Sequence, residues 1–208
     1  MLKDYLIYND EKHEYSIQYD PTRKIIIPSV TQLLEYGHLV DMGYVDPFYA
    51  ESGTELHTMT ELHDSGLYDD SLVVSRVHAA MVAYDLFKLD NEIEWHQSEQ
   101  IVFHESLFYA GTKDRLGLVN GNRALVDVKS GHRYRWHVVQ LAAYLMCEEE
   151  PAEAADLYLG TGDYKYHIWP EDDVIEAANI FRMLAKLYWY NHPMDYKRLL
   201  KIQKELAA

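Results

Sequence analysis

The tripeptide Asn120-Gly121-Asn122, flanked by two runs rich in strand-forming residues, constrains this chain more than any other stretch. An Asn-Gly pair suits a two-residue hairpin turn, whose central residues must adopt positive φ. The flanks, 107–119 and 123–129, therefore predict two antiparallel strands. A turn on Asn120-Gly121 sets Asp114 opposite Asp127, whereas a turn on Gly121-Asn122 sets Asp114 opposite Lys129. In either register Asp114, Asp127 and Lys129 share one face, because opposed residues point the same way and so do residues two apart. A three-residue turn would break this parity.

Two carboxylates about 5 Å apart on a sheet repel, by up to roughly 1 kcal/mol. A hard divalent cation compensates them, since carboxylate oxygens suit Mg2+ or Mn2+ and these ions keep waters for a substrate. Lys129 beside such an ion could orient an attacking water, help deprotonate it, and stabilise charge building on a phosphate. The alternative is an ion-pair cluster in which Lys129 simply neutralises the two acids.

Charge is unevenly spread. The 208 residues carry a formal −15, which excludes a protein that coats nucleic acid through broad phosphate neutralisation. Yet residues 111–140 hold six basic residues (Lys113, Arg115, Arg123, Lys129, Arg133, Arg135) against two acids, a local +4. The remainder, with 13 basic and 32 acidic residues, carries −19. A basic island in an acidic body fits a focused phosphate site. The single cysteine, Cys147, excludes a disulfide framework, a cysteine-ligated zinc and an iron-sulphur cluster, and after its apolar run it reads as a small buried hydrophobe. The opening residues lack a signal-peptide pattern and no window approaches a membrane span, so a soluble, cytoplasmic protein without membrane contact is expected.

Along the chain, residues 4–8, 13–19 and 25–27 predict a strand meander. Ser29 is a helix N-cap, with a short helix ended by Gly37. Helices follow over 47–65 and 75–89, strands over 98–104, 107–119 and 123–129, and a helix over 134–148. Two strands, 155–160 and 164–169, precede a helix from Pro170-Glu171-Asp172 to about Tyr190, stopped by Asn191-His192-Pro193. Residues 195–206 predict a last short helix. The order implies a mixed α/β fold around one central sheet.

Three ordered motifs, Gly111-Thr112-Lys113-Asp114-Arg115-Leu116, Asp127-Val128-Lys129-Ser130-Gly131 and Gln140-Leu141-Ala142-Ala143-Tyr144, resemble those of the PD-(D/E)XK nuclease superfamily. The resemblance is to its RecB-like branch and to stand-alone phage and mitochondrial exonucleases. Gly53-Thr54-Glu55-Leu56-His57 looks like the helix element in which a histidine completes the metal shell, and Ile27-Pro28-Ser29-Val30-Thr31-Gln32-Leu33-Leu34 looks like the leader of phage-encoded members.

What the resemblance implies is a restriction-endonuclease-like fold, a central mixed sheet flanked by helices with an N-terminal β-meander. One nuclease domain would span 1–208, with the meander at 1–28, a core at 47–190 and a C-terminal tail at 191–208. The implied metal ligands are His57, Asp114, Asp127 and the Val128 carbonyl, binding Mg2+ or Mn2+. The catalytic set is Asp114, Asp127, Lys129 and Gln140, with Glu99 and Tyr144 as accessories. Arg115, Arg133 and Arg135 are the candidates for gripping DNA, since Arg forks bind phosphate bidentately. Tyr134 and Trp136 alternate with two of these arginines and could stack bases or pack the helix start.

The expected activity is a metal-dependent DNA exonuclease of phage or prophage type acting on linear or single-stranded ends in recombination or processing. A homo-oligomer or a phage recombination partner would help an acidic body hold DNA. The alternatives are a structure-specific endonuclease and a non-catalytic nucleic-acid-binding module that keeps the fold. No Gly-x-x-x-x-Gly-Lys-Ser/Thr run occurs, so any unwinding motor would be a separate protein.

Overall fold

A computed structural model describes residues 1–40, 47–69, 71 and 77–207, and for 47–50 the backbone alone. It has the mixed α/β class expected, with a five-stranded mixed sheet flanked by helices and a separate N-terminal antiparallel sheet. The N-terminal sheet is β1 (Leu6–Asn9), β2 (Glu14–Asp20) and β3 (Arg23–Ile27), paired in chain order. A 3-10 turn, Leu2–Tyr5, occupies part of the segment expected to begin the first strand, because Leu2 drops into the core there.

Helix α1 (Val30–Tyr36) starts where Ser29 predicts. Ser29 Oγ accepts from Gln32 N–H at 3.0 Å and Gln32 Oε1 accepts from Ser29 N–H at 2.9 Å, a reciprocal capping box. Helices α2 (Pro47–Asp64) and α3 (His78–Asp90) follow, and residues 75 and 76 of the expected third helix lie outside the described residues.

The main sheet runs β4 (Ile93–His104), β5 (Tyr109–Val119), β6 (Asn122–Lys129), β7 (Glu153–Leu159), β8 (Tyr164–Ile168) in that order. All neighbours are antiparallel except β6 and β7. A parallel pair needs a crossover, and α4 (Trp136–Leu145) lies within it. This helix is shorter at both ends than the expected 134–148. Helices α5 (Glu171–Asn191) and α6 (Pro193–Ala207) close the described chain, with Pro193 opening α6 where the sequence signals a stop.

The hairpin uses Asn120-Gly121. Val119 pairs with Asn122, and Asn120 (φ 51) and Gly121 (φ 81) both take the left-handed conformation that such a turn requires. Strand alternation then sorts the faces. Val126 and Val128 pack with Leu56, Met81 and Phe87 of α2 and α3. Leu116 and Leu125 pack on the other face with α1, α4 and α5, around Leu33, Leu141 and Phe181. The odd-numbered positions 127 and 129 follow Leu125, so their side chains face α4. A third cluster joins the N-terminal sheet to Phe108, Trp189 and Leu199 of α6.

Candidate metal centre

The centre forms where β5 and β6 part. Their backbone pairing runs from Val119–Asn122 to Arg115–Val126, and the next pair in that register would be Asp114 with Asp127. There the Asp114 carboxylate takes over from the backbone, with Oδ2 accepting Val128 N–H at 2.7 Å. Asp114 is thereby fixed against β6 by its own side chain.

Helix α2 brings His57 to the same oxygen. His57 Nδ1 lies 3.4 Å from Asp114 Oδ2 and 3.5 Å from Glu99 Oε1. The helix is held by Thr60 and Asp64, which follow His57 on one helical face at spacings of three and seven. Asp64 accepts from Arg115 Nε at 2.8 Å, from Tyr84 OH at 2.8 and 2.7 Å, and from Lys88 Nζ at 2.9 Å. Thr60 Oγ1 accepts from Arg115 NH2 at 3.1 Å.

Glu99 sits on β4 with φ 44, between Ser98, which pairs with Arg115, and Gln100, which pairs with Lys113. A left-handed conformation costs a non-glycine residue roughly 1–2 kcal/mol, and such strain concentrates at functional sites. Arg115 NH1 donates to Glu99 Oε1 at 3.1 Å, so the same guanidinium that anchors α2 also supports this carboxylate.

Lys129 is the centre's second cation. Its ammonium makes an ion pair with Asp127 Oδ2 and donates to Gln140 Oε1 at 2.9 Å, and Gln140 Nε2 donates to Tyr144 OH at 3.3 Å. Gln140 and Tyr144 are one turn apart on α4 and reach β6 together. Tyr144 can lie against β5 because Gly111 has no side chain. A Cβ there would come within 2.7 Å of the Tyr144 ring.

The electrostatics follow from this packing. His57 is raised to about 9, by the Asp114 charge above all, against burial and with help from Glu99. Asp127 is raised to about 6 by burial and by the Asp114 charge, with Lys129 opposing. Burial pulls Lys129 downward, but Asp127 and Asp114 outweigh it and hold the ammonium above its ordinary value. For Glu99, burial pushes upward and is outweighed by His57 and Arg115, which hold the carboxyl low.

Behind Asp127 stands a buried carboxylate that sequence reasoning missed. Asp156 on β7 pairs in parallel register with Asp127 and is fully buried. Its Oδ2 accepts from Trp169 Nε1 at 2.7 Å and from Tyr158 OH at 2.9 Å, while Oδ1 has no hydrogen-bond partner among the described residues. Burial, then the charge of Asp127, raises Asp156 to about 6. His137 Nδ1 lies 2.8 Å from Tyr158 OH, and burial lowers this imidazole to about 3. A lone Asp within Ala154-Ala155-Asp156-Leu157 was the available signal, since an acid inside an apolar strand must find partners.

The expected residues are thus distributed unevenly. Ligand atoms of His57, Glu99 and Asp114 lie within 4.8 Å of one another, so Glu99 belongs with the two that were expected as ligands. Asp127 stands beside this group, its Oδ2 turned to Lys129, and Val128 contributes its N–H to Asp114. Arg115 requires correction. Expected to grip DNA, it is 0% exposed and its donors are spent on Asp64, Thr60, Glu99 and the Asp114 carbonyl, because β5 points it into the face under α2. Arg133 and Arg135 are exposed, and neither has a carboxylate partner among the described residues. Cys147 is half-buried rather than buried, and burial pushes its thiol up to about 12, which leaves it unreactive.

The donor set fits a divalent cation. An octahedral ion with ligands at about 2.1 Å separates neighbouring ligand atoms by roughly 3 Å and opposed ones by about 4 Å. The 3.4 and 3.5 Å separations around His57 fall within that span. Asp127 Oδ2 is buried against the Lys129 ammonium, so the charge of Asp127 is met by the lysine while His57, Glu99 and Asp114 are left to surround a cation. Without a metal, the proton on His57 takes the cation's part.

No family model matches the sequence, and no curated protein matches it. Among solved structures, the chain is similar to an alkaline exonuclease from Laribacter hongkongensis, with TM-score 0.45 and 10% identity over 86% of this chain and 92% of that one. It is also similar to a candidate exonuclease from Eubacterium rectale, with TM-score 0.44 and 12% identity over 84% of this chain and 73% of that one. Among the described residues no helix is long and apolar enough to cross a membrane.

Proposed function

We propose that the chain is a divalent-metal-dependent nuclease of the PD-(D/E)XK type, RecB-like branch, that hydrolyses DNA phosphodiester bonds as an exonuclease. The observation that carries the reading is the meeting of His57 Nδ1 with Asp114 Oδ2 and Glu99 Oε1, beside a lysine ammonium tied to Asp127 and Gln140. A binding module has no need of a strained glutamate aimed at a histidine.

His57, Glu99 and Asp114 would hold the cation, with Asp127 adjoining. A bound divalent cation would supply Lewis acidity toward a phosphate oxygen. Lys129, kept as an ammonium, stabilises negative charge building on the phosphoryl oxygens and orients the attacking water. Gln140 fixes the direction of that ammonium, and Tyr144 fixes Gln140. Arg133 and Arg135 hold the flanking phosphates. An imidazole among carboxylates is a softer set than Mg2+ prefers, so Mn2+ supports activity at least as well. The Pro28-Ser29-Val30-Thr31 leader supports phage or prophage ancestry, with a role in recombination or DNA processing inside the cell.

The test incubates the pure protein with end-labelled linear DNA and closed circles, single- and double-stranded, with Mn2+, Mg2+ or chelator. Metal-dependent loss of linear DNA with circles intact is expected. Cleaved circles overturn the exonuclease reading, and absence of cleavage with every metal leaves the binding module in its place.

A further inference from the structure

A groove of about 470 Å³ opens beside the centre, between the start of α4 and the first turns of α5. Its volume lies in the range of pockets that take small organic ligands, roughly 300–1,000 Å³. The α4 side presents Tyr134, Arg135 and Trp136, and Trp169 adds a third aromatic ring. Tyr134 is 55% exposed, and its ring lies within 15° of parallel to that of Trp136, so the two aromatic planes are presented alike. Two rings presented alike at one groove offer a flat face to a planar ligand.

Charge says what covers it. The Arg133 guanidinium stands 5.6 Å from the Trp169 ring centre, and Arg135 lines the groove. Both are exposed, and Arg133 NH1 lies 3.0 Å from a neutral partner, His167 Nε2, in a chain with an acidic excess of fifteen charges. The opposite wall carries Asp173 and Glu176. Carboxylates repel phosphate but accept hydrogen bonds from exocyclic amines. A strand lying here therefore keeps its backbone on the arginine side and turns a base inward.

Trp136 links the groove to the chemistry. Lys129 Nζ lies 5.4 Å from the centre of the Trp136 ring, so one side chain borders both the groove and the ammonium of the candidate centre. We propose that this groove is a stacking subsite for one unpaired nucleobase next to the scissile phosphate, which directs the protein to single-stranded DNA and frayed ends. The substrate class rests on the nuclease reading of the metal centre. A base within intact duplex is stacked on both faces and cannot enter without being extruded, whereas every unpaired base offers a face to an aromatic ring.

The test measures binding in chelator, where no cleavage occurs, so it does not depend on activity. The probes are a fluorescein-labelled short oligodeoxycytidylate, whose exocyclic amine suits the carboxylate wall, the same strand with abasic sites throughout, and a blunt duplex of equal length. Wild type should bind the base-bearing strand roughly tenfold more tightly than the abasic strand or the duplex, with quenching of tryptophan fluorescence. Trp136→Leu should abolish that preference. Tyr134→Ala, at an exposed position that folding tolerates, should reduce it several-fold while leaving affinity for the abasic strand unchanged. Equal wild-type affinity for base-bearing and abasic strands overturns the subsite, as does full preference retained in both variants. Preference without cleavage under any metal would uphold the subsite and sink the nuclease reading instead.

Discussion

Arg115 Nε donates to Asp64 Oδ2 at 2.8 Å, and through this contact a fully buried guanidinium on β5 determines where α2 sits. Because His57 lies two turns before Asp64 on that helix, the ion pair is what delivers the imidazole to Asp114.

Arg115→Met should therefore act on stability and metal affinity together, without Arg115 touching DNA. Removing one partner of a buried pair costs about 3–5 kcal/mol because the other charge is stranded, and Lys88 on Asp64 places this case at the low end. Urea denaturation with and without Mn2+ checks it. A loss of DNA affinity at unchanged stability would contradict the buried role.

The pH dependence of the metal-free protein should carry the signature of His57. Its folded value, about 9, lies above the ordinary 6.5, so its contribution is complete below about 6.5 and is lost as pH rises through 9. With the side chain 31% exposed, solvent screening reduces this to roughly 1–2 kcal/mol. His57→Gln should flatten the slope between pH 7 and 9 in denaturation curves. Since a ligand imidazole must be neutral, metal affinity should rise over the same window, with proton release seen by calorimetry in buffers of different ionisation enthalpy.

Lys129→Met should lower kcat by roughly 100-fold or more, the scale for losing a charge-stabilising group, while metal binding is retained. Gln140→Ala, which frees the ammonium without removing it, should cost about tenfold. Single-turnover cleavage with calorimetric metal titration separates the two effects. Equal turnover in wild type and Lys129→Met would leave Lys129 as a neutralising ion pair only.

Asp156→Asn should stabilise the metal-free protein at alkaline pH. The carboxyl's folded value, about 6, lies above its ordinary 3.8, so stability is complete below 3.8 and is lost as pH rises through 6. Above that, the buried charge costs up to about 3 kcal/mol. Asparagine can still accept from Trp169 and Tyr158, so the variant should exceed wild type by roughly 1–3 kcal/mol at pH 8 and converge with it near pH 4. Denaturant midpoints at the two pH values decide it.

Much of this was legible in the sequence because it rests on short-range physics. Asn120-Gly121 demands a positive-φ turn, strand alternation puts Asp114, Asp127 and Lys129 on one side, and Ser29 caps a helix. Each depends on a few neighbouring dihedrals, so local residues suffice to specify it. The choice between the two turn positions was open, and the structure resolves it to Asn120-Gly121.

The rest depended on contacts between segments distant in sequence. No local pattern says that β7 pairs with β6 in parallel, which is what sets Asp156 beside Asp127. None says that β5 turns Arg115 under α2 and away from solvent, or that Glu99 takes a left-handed conformation facing His57. An arginine next to a candidate metal-binding aspartate reads as a phosphate ligand until burial is known, because charge is written in the residue but solvation is written in the packing. The sequence by itself determined the strand face that Asp114, Asp127 and Lys129 share. Only the tertiary structure decided which carboxylates meet the histidine, since that follows from helix docking and strand order.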